Sequence, residues 1–394
     1  MCNDAIVASN RGRRIVRRIL VAALVVGLAL VGAACGNSGT GPPAAVTTSS
    51  TPQYQHHGPF AVGVTTLDLG SAGPVYGERL ATVYYPGALK GGEAPPRFSY
   101  TEAQTLPAAL RGVLPARYNT TQTIDAYQGI PGSPKGPFPV VLFSHGFGGE
   151  RLYYSNLLTG IASWGYVVVS ADYLERGLAS QAISGAPKPT TAHDAATLAA
   201  SLTAVEQAGA NSASPLHGIV DSKRVAAAGH SAGGGTAFNA LATPRVETAV
   251  GWAPVAPSTL GSSKPVMLIG AEGDIAVLPS SVKKTYQSFR GPKSLIEIGG
   301  EGHNTYTDIC VGIRQGAGLI NFAVANHFTS PQLAKLGING CQAKDAAPQR
   351  FWPIVQYYTV FQLKSVFGGN PSATVPVPAP GTFPGMTVSI TQQS

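Results

Sequence analysis

Charge is scarce in this chain: Asp, Glu, Lys and Arg make up 12% of its 394 residues, where about a quarter is ordinary for a soluble domain. So low a content is uncommon in cytosolic proteins and frequent in exported ones. No basic stripe runs along the sequence, which removes nucleic acid as an expected partner. Long apolar runs are missing too. The run at 19–34 is short and broken by Gly27 and Gly32, so a stable membrane-spanning helix is not expected there. There is no internal repeat. No spacing of Cys, His, Asp or Glu suggests a metal site, and no cofactor is expected.

What charge there is lies unevenly. Arg11, Arg13, Arg14, Arg17 and Arg18 stand before the apolar run and supply much of the formal net charge of +8. Basic residues, a short apolar run and then small residues form an export signal. Removing everything before Cys35 takes away five arginines and Asp4 and leaves 22 basic and 18 acidic residues. "LVGAAC", Leu30 to Cys35, resembles a bacterial lipobox, with Cys35 as the lipidated residue. The expected organisation is a lipoprotein-type signal at 1–34, a flexible Ser/Thr/Pro/Gly-rich linker at 35–58, a catalytic domain at 59–368 and a tail at 369–394. Free secretion is the alternative to a membrane lipid anchor on the outer face.

Cysteine is rare, with four residues in all. Cys2 would leave with the signal and Cys35 would carry lipid, so Cys310 and Cys341 remain as a pair. In an exported chain such a pair reads as a disulfide. Closing a loop of about 32 residues stabilises by roughly 3–4 kcal/mol on the chain-entropy model.

From Phe60 the pattern is that of a folded domain. "FAVGVTTLDL" and "RLATVYYP" read as strands ended by Gly or Pro. Residues 90–136 are rich in Pro, Gly and polar groups, and read as an insertion or lid-like loop with one weak helical piece near Glu102 to Leu110. "FPVVLFSHG", "YVVVSADY", "ETAVGWAP", "KPVMLIGAEGD" and "SLIEIGGEGH" contain strands buried on both faces. Helical segments alternate with them, and a final helix is expected from about Pro353 to Phe367. Strands alternating with helices imply an α/β fold with a mainly parallel sheet covered on both faces.

"AAAGHSAGGG", Ala226 to Gly235, carries the chemistry. Gly229-His230-Ser231-Ala232-Gly233 fits G-x-S-x-G, in which a serine sits on a strained strand-to-helix turn. A serine hydroxyl needs a base to take its proton, and the order Ser…Asp/Glu…His directs the search downstream. Asp274 ends "VMLIGAEGD" and His303 lies in "GGEGHNTYTD". Both fall at strand ends, where open α/β sheets build their sites. Asp274 is expected to fix the tautomer of His303; Glu272, earlier in the loop, is the nearest substitute acid, and Glu301 is too close to His303 in sequence to orient it easily. His145 belongs to the "SHG" turn, and His230, preceding the serine, is expected to point away. Two backbone donors should hold an oxyanion: the amides of Ala232 and, in the glycine-rich turn after "VVLFSHG", of Phe147. Trp252 and Tyr306 are candidate cleft walls.

On these residues a resemblance can be stated. "VVLFSHGFGGERLYYSNLLTGIASWGYVVVSADY" is similar to the corresponding block of exported actinobacterial α/β-hydrolases of the dienelactone-hydrolase-like and platelet-activating-factor-acetylhydrolase-like group. "GHSAGGG" and "LIGAEGD…EGH" also resemble the polyester-degrading cutinases. The resemblance runs from about Phe60 to Phe367. It implies the α/β-hydrolase fold, a Ser231–His303–Asp274 triad with Phe147 and Ala232 as oxyanion donors, and a serine carboxylic ester hydrolase working through an acyl-enzyme. The spacing to Asp274 follows the cutinase and dienelactone pattern, whereas a serine in place of cysteine argues against dienelactone itself. The expected partner is a small-molecule ester, with lipid or polymer esters as the runner-up, and the expected state is a monomer. A non-catalytic cell-surface binding protein on the same scaffold is the alternative of a different class.

Overall fold

A computed structural model describes residues 53–394, apart from 74, 90, 92–94, 107, 179, 181–185, 259–260 and 328–329. The expected signal, the lipidation site Cys35 and most of the expected linker therefore lie outside the described residues. Among the described residues no helix is long and apolar enough to cross a membrane.

Among the described residues the sheet has eleven strands in the order β11-β10-β9-β8-β7-β5-β6-β2-β1-β4-β3. Its middle is parallel: β6 (Val167–Ala171), β5 (Phe138–Ser144), β7 (Val220–His230), β8 (Val246–Trp252), β9 (Val266–Ala271) and β10 (Lys293–Ile298). Every residue of β5, β6 and β9 is buried, which is why these segments read as continuous apolar runs. Successive side chains go to opposite faces. Val141 and Phe143 therefore join one core with α1 (Ser155–Ala162) and α8 (Pro348–Phe367). Val140 and Leu142 join the other, with α2 (Thr191–Ala210), α3 (Ala232–Asn239) and α4 (Pro279–Ser288). Burying a side chain of this size stabilises by about 1.5–3 kcal/mol, so the two faces together hold the sheet in place.

The two ends of the domain differ from expectation. Residues 54–58, read as the end of the linker, are docked. The Tyr54 ring packs edge-on against Trp164 at 5.0 Å, and Gln356 Nε2 donates to the carbonyls of Tyr54 and His56. The segment 369–394, read as a tail, returns to the sheet. β11 (Val388–Gln393) pairs antiparallel with β10 along its whole length, and Val375 and Phe383 enter the core. α8 starts at Pro348 rather than at Pro353. Proline usually marks the first helical position; Pro348 takes that place, and Pro353 sits inside the helix.

The described part of the insertion is not a structureless loop. β3 (Arg97–Thr101) and β4 (Thr121–Gln128) extend the sheet beyond β1 (Ala61–Ser71) and β2 (Glu78–Gly87). Three short 3-10 turns lie between them in place of the expected helical piece. Leu106, Leu114 and Tyr118 from this segment form a small third core with Leu178, and with Leu319 and Phe322 of α6 (Gly318–Ala325).

Candidate active site

Ser231 occupies the turn from β7 into α3 with φ 56° and ψ −121°, a conformation an L-residue keeps only when its surroundings enforce it. The enforcement is visible. The Ser231 amide donates to the Trp252 carbonyl at 2.9 Å, and the Ser231 carbonyl accepts from the amides of Val255 at 2.9 Å and Gly234 at 3.0 Å. The flanking glycines have no room for side chains. A Cβ on Gly229 would lie 2.2 Å from the Gly233 carbonyl oxygen, and one on Gly233 would lie 2.0 Å from that of Ser144. The motif thus lets α3 press against the end of β5 and lifts Ser231 to the sheet edge.

Asp274 and His303 meet as expected. Asp274, 2% exposed, stands just beyond β9. Its Oδ1 accepts the amides of Ala276 and Val277, both at 2.8 Å, and its Oδ2 accepts from His303 Nδ1 at 2.7 Å. Three donors fix the carboxylate. Because the acceptor fixes the proton on Nδ1, Nε2 of a neutral His303 keeps its lone pair. Of the other two acids, Glu272 is exposed. Glu301 is buried and bonds Thr305 and the Ala346 amide instead, its carboxyl pushed up to about 7 by burial. No hydrogen bond joins Ser231 Oγ to His303 Nε2 in the structure.

The turn after β5 runs beside Ser231: a Cβ on Gly146 would lie 3.2 Å from the Ser231 Cβ. Gly148 has φ 70° and donates to the Arg176 carbonyl at 2.8 Å. The Arg176 guanidinium is buried beneath. It donates to the His145 carbonyl, Ser144 Oγ and Thr236 Oγ1 and pairs with Asp194. His145 closes the turn from inside: its Nε2 accepts the Tyr173 amide at 3.0 Å and its Nδ1 donates to the Gly146 carbonyl at 2.8 Å. Burial, with the Arg176 charge adding to it, holds this imidazole down to about 3 and so neutral. Among the described residues neither the Phe147 nor the Ala232 amide has a hydrogen-bond partner.

Trp252 and Tyr306 are not cleft walls. Both are fully buried. Trp252 Nε1 donates to Thr359 Oγ1 on α8, Tyr306 Oη donates to the Ile269 carbonyl, and the two rings stack at 6.3 Å. Each is large and apolar enough to be drawn under the site rather than into it. His230, by contrast, belongs to the site, which its place before the serine does not suggest. Its ring lies 4.6 Å from that of His303 and 5.0 Å from that of Tyr306, and its Nδ1 bonds Tyr154 Oη. Cys310 and Cys341 form a disulfide that ties α5 (Ile309–Arg314), just beyond His303, to the chain following α7 (Pro331–Gly337).

Comparison with known proteins agrees with this geometry. The family model described as chlorophyllase matches residues 130–297, a span that contains Ser231 and Asp274. The model described as platelet-activating factor acetylhydrolase, isoform II, matches residues 45–188, which contain the turn with Phe147. The chain has the α/β-hydrolase fold, and the two matched spans resemble these two families. A ferulic acid esterase from Streptomyces cinnamoneus has a similar structure, with a TM-score of 0.56 and 21% identity over 84% of this chain and 96% of that one. At that identity the likeness speaks for the hydrolase fold alone. No curated relative matches the hydrolase.

Proposed function

We propose that this serine hydrolase cleaves carboxylic esters through Ser231, His303 and Asp274 by way of an acyl-enzyme. The observation that carries the reading is Ser231 held at φ 56° on the β7–α3 turn, with an imidazole oriented by Asp274 on the neighbouring strand ends. His303 Nε2 takes the Ser231 proton as Oγ attacks the ester carbonyl. The amides of Phe147 and Ala232 receive the oxyanion, each worth roughly 3–4 kcal/mol of barrier in comparable sites. The tetrahedral adduct collapses and the alcohol leaves with the proton from His303. Water, deprotonated by the same imidazole, then frees the acid. Asp274 stays ionised and stabilises the imidazolium. The Ser231–His303 bond closes as substrate seats, since catalytic hydrogen bonds often tighten only in the complex.

The substrate has an apolar part on this reading. Val255, whose amide bonds the Ser231 carbonyl, is 43% exposed, and Ile275 and Leu278, on the loop after Asp274, are 39% and 48% exposed. These side chains support an aryl or alkyl ester over a charged one, and keep lipid or polyester substrates as the second reading. The name of the structural neighbour, an esterase of an aromatic acid, is consistent with the first. Export, with a lipid at Cys35, belongs to the same proposal and rests on the sequence before that residue. Cys35→Ala would move the protein from the membrane fraction to the medium.

Fluorophosphonate labelling and turnover of nitrophenyl esters of graded chain length test the assignment. Ser231→Ala should abolish labelling and lower kcat by at least about 10⁴-fold. Labelling that survives in this variant would refute it.

A further inference from the structure

Asn339 lies just beyond α7, far in sequence from both Asp274 and His303, yet its carboxamide touches the backbone on either side of one and at the other. Oδ1 accepts the His303 amide at 2.8 Å and the Ile275 amide at 3.2 Å, and Nδ2 donates to the Gly273 carbonyl at 3.1 Å. An amide is the side chain that can do this, since it carries acceptor and donor in one plane. The residues before and after Asp274 are thereby pinned to the residue that bears the base. The backbone repeats the link: the Asn304 amide donates to the Asn339 carbonyl at 2.9 Å, and Thr305 Oγ1 donates to the Gly340 carbonyl at 3.0 Å.

The clamp is itself anchored. Cys341, two residues on, is bonded to Cys310. Gly302 is packed so closely that a Cβ there would lie 2.5 Å from the Gly340 nitrogen. Asn304 Nδ2 donates to the carbonyls of Leu336 and Gly337 at the end of α7. The loop after β9 and the loop after β10 share few other direct ties, among them the Gly273 amide on the Glu301 carbonyl at 2.7 Å and the Asp274–His303 bond itself.

We propose that Asn339 is a positioning residue of the esterase site: it sets the separation of Asp274 and His303 from a segment that the disulfide holds rigid. The inference rests on the triad assigned above. The Asn339 carboxamide is engaged by these three backbone groups, so its loss should appear in the chemical step and not in binding.

The test uses the full chain with a short-chain nitrophenyl ester, comparing wild type, Asn339→Leu, Asn339→Asp and Asp274→Asn, each first checked for folding by thermal melting. Asn339→Leu has about the same size and no hydrogen bonds. It should lose roughly 10–100-fold in kcat with KM within about two-fold, the scale expected when reacting groups shift by around an ångström. Asn339→Asp keeps the two acceptor contacts and should fall between. In the Asp274→Asn background the Asn339→Leu loss should shrink to less than about three-fold, because the two residues act as a unit. A folded Asn339→Leu with wild-type kcat, a loss confined to KM, or full additivity with Asp274→Asn overturns the proposal. Should Asn339→Leu not fold, Asn339→Asp decides alone: a wild-type kcat overturns it. Ser231→Ala, run alongside, separates the two readings. If turnover survives in that variant the triad falls and this inference with it. If turnover vanishes there while Asn339→Leu is fully active, only the clamp is wrong.

Discussion

The Nε2 of His230 lies 3.0 Å from the carbonyl oxygen of His303. A carbonyl can only accept, so Nε2 carries the proton and Nδ1 accepts from Tyr154 Oη at 2.9 Å. Tyr154 Oη in turn accepts the Gly146 amide at 3.3 Å. One buried path of hydrogen bonds thus runs from the turn of the proposed oxyanion donors to the loop of the proposed base. His230 is 2% exposed, and burial, helped by the nearby His303 ring, holds its imidazole well below the usual range. His230→Phe keeps the ring packing and leaves Tyr154 Oη and the His303 carbonyl short of a partner. We expect a loss of about 1–3 kcal/mol in denaturant unfolding and a kcat lowered by about ten-fold or more. Tyr154→Phe, which leaves His230 bonded to His303, should cost less in both measurements.

That path also shows what a sequence can and cannot tell. Placing Ser231 and the strands around it needed only local pattern: apolar runs such as "VVLFS", glycines around a serine, and an acid and a histidine at successive strand ends. Expecting His230 to point away from the hydroxyl followed from strand alternation. The sequence did not show that the loop of His303 packs on that opposite face. Asn339 gave no signal, because its partners are backbone groups at Gly273, Ile275 and His303 that any residue would offer. β4 did leave a trace: "TQTIDAYQ" alternates, with Gln122, Ile124 and Ala126 buried, but its setting among prolines and glycines reads as loop. β11 alternates only between half-buried and exposed residues, as an edge strand does, and so carries little apolar signal.

Gly233→Ala tests whether the turn at Ser231 depends on contact between α3 and β5. The added methyl would meet the Ser144 carbonyl oxygen at 2.0 Å and the His145 carbonyl oxygen at 2.5 Å. Both are backbone atoms of a strand end packed on all sides, so neither can yield cheaply. Overpacking of this kind typically costs about 1–3 kcal/mol and more where backbone must shift. The expected outcome is a melting temperature several degrees lower together with loss of fluorophosphonate labelling. Gly261→Ala, where nothing lies within 4 Å but φ is 112°, should cost stability through backbone strain alone and leave labelling intact.

Arg176→Met removes a buried cation whose bonds reach Ser144, His145, Thr236 and Asp194. Breaking one side of such a pair leaves the other charge uncompensated and costs about 3–5 kcal/mol. Asp194 retains some access to water, so the lower end is expected. Adding Asp194→Asn to Arg176→Met should recover part of the loss, because the orphaned charge goes with it. Urea unfolding of the two single variants and the double variant measures the coupling directly.

Stability should fall as pH rises from about 4.5 to 7, and Glu102 should be one cause. This carboxyl, in the insertion itself, is 4% exposed, and among the described residues it accepts only the Leu319 amide at 3.4 Å. Burial raises it from an ordinary 4.5 to about 7. Asp308, buried against Tyr100 and the Asn156 amide, is raised to about 7 as well. The folded chain therefore keeps protons that the unfolded chain gives up between about pH 4.5 and 7. Where the folded state binds more protons, stability declines with rising pH. The penalty grows through that window and is present in full above pH 7. Glu102→Gln keeps an oxygen for the Leu319 amide and has no charge to bury. Its unfolding free energy should match wild type near pH 4.5 and exceed it at pH 8 by about 2–3 kcal/mol, since a tenfold change in a carboxyl's proton affinity on folding corresponds to about 1.4 kcal/mol. Urea melts of both proteins from pH 4.5 to 8 give the answer: a gap that stays constant across the range would mean that Glu102 is not the group that titrates.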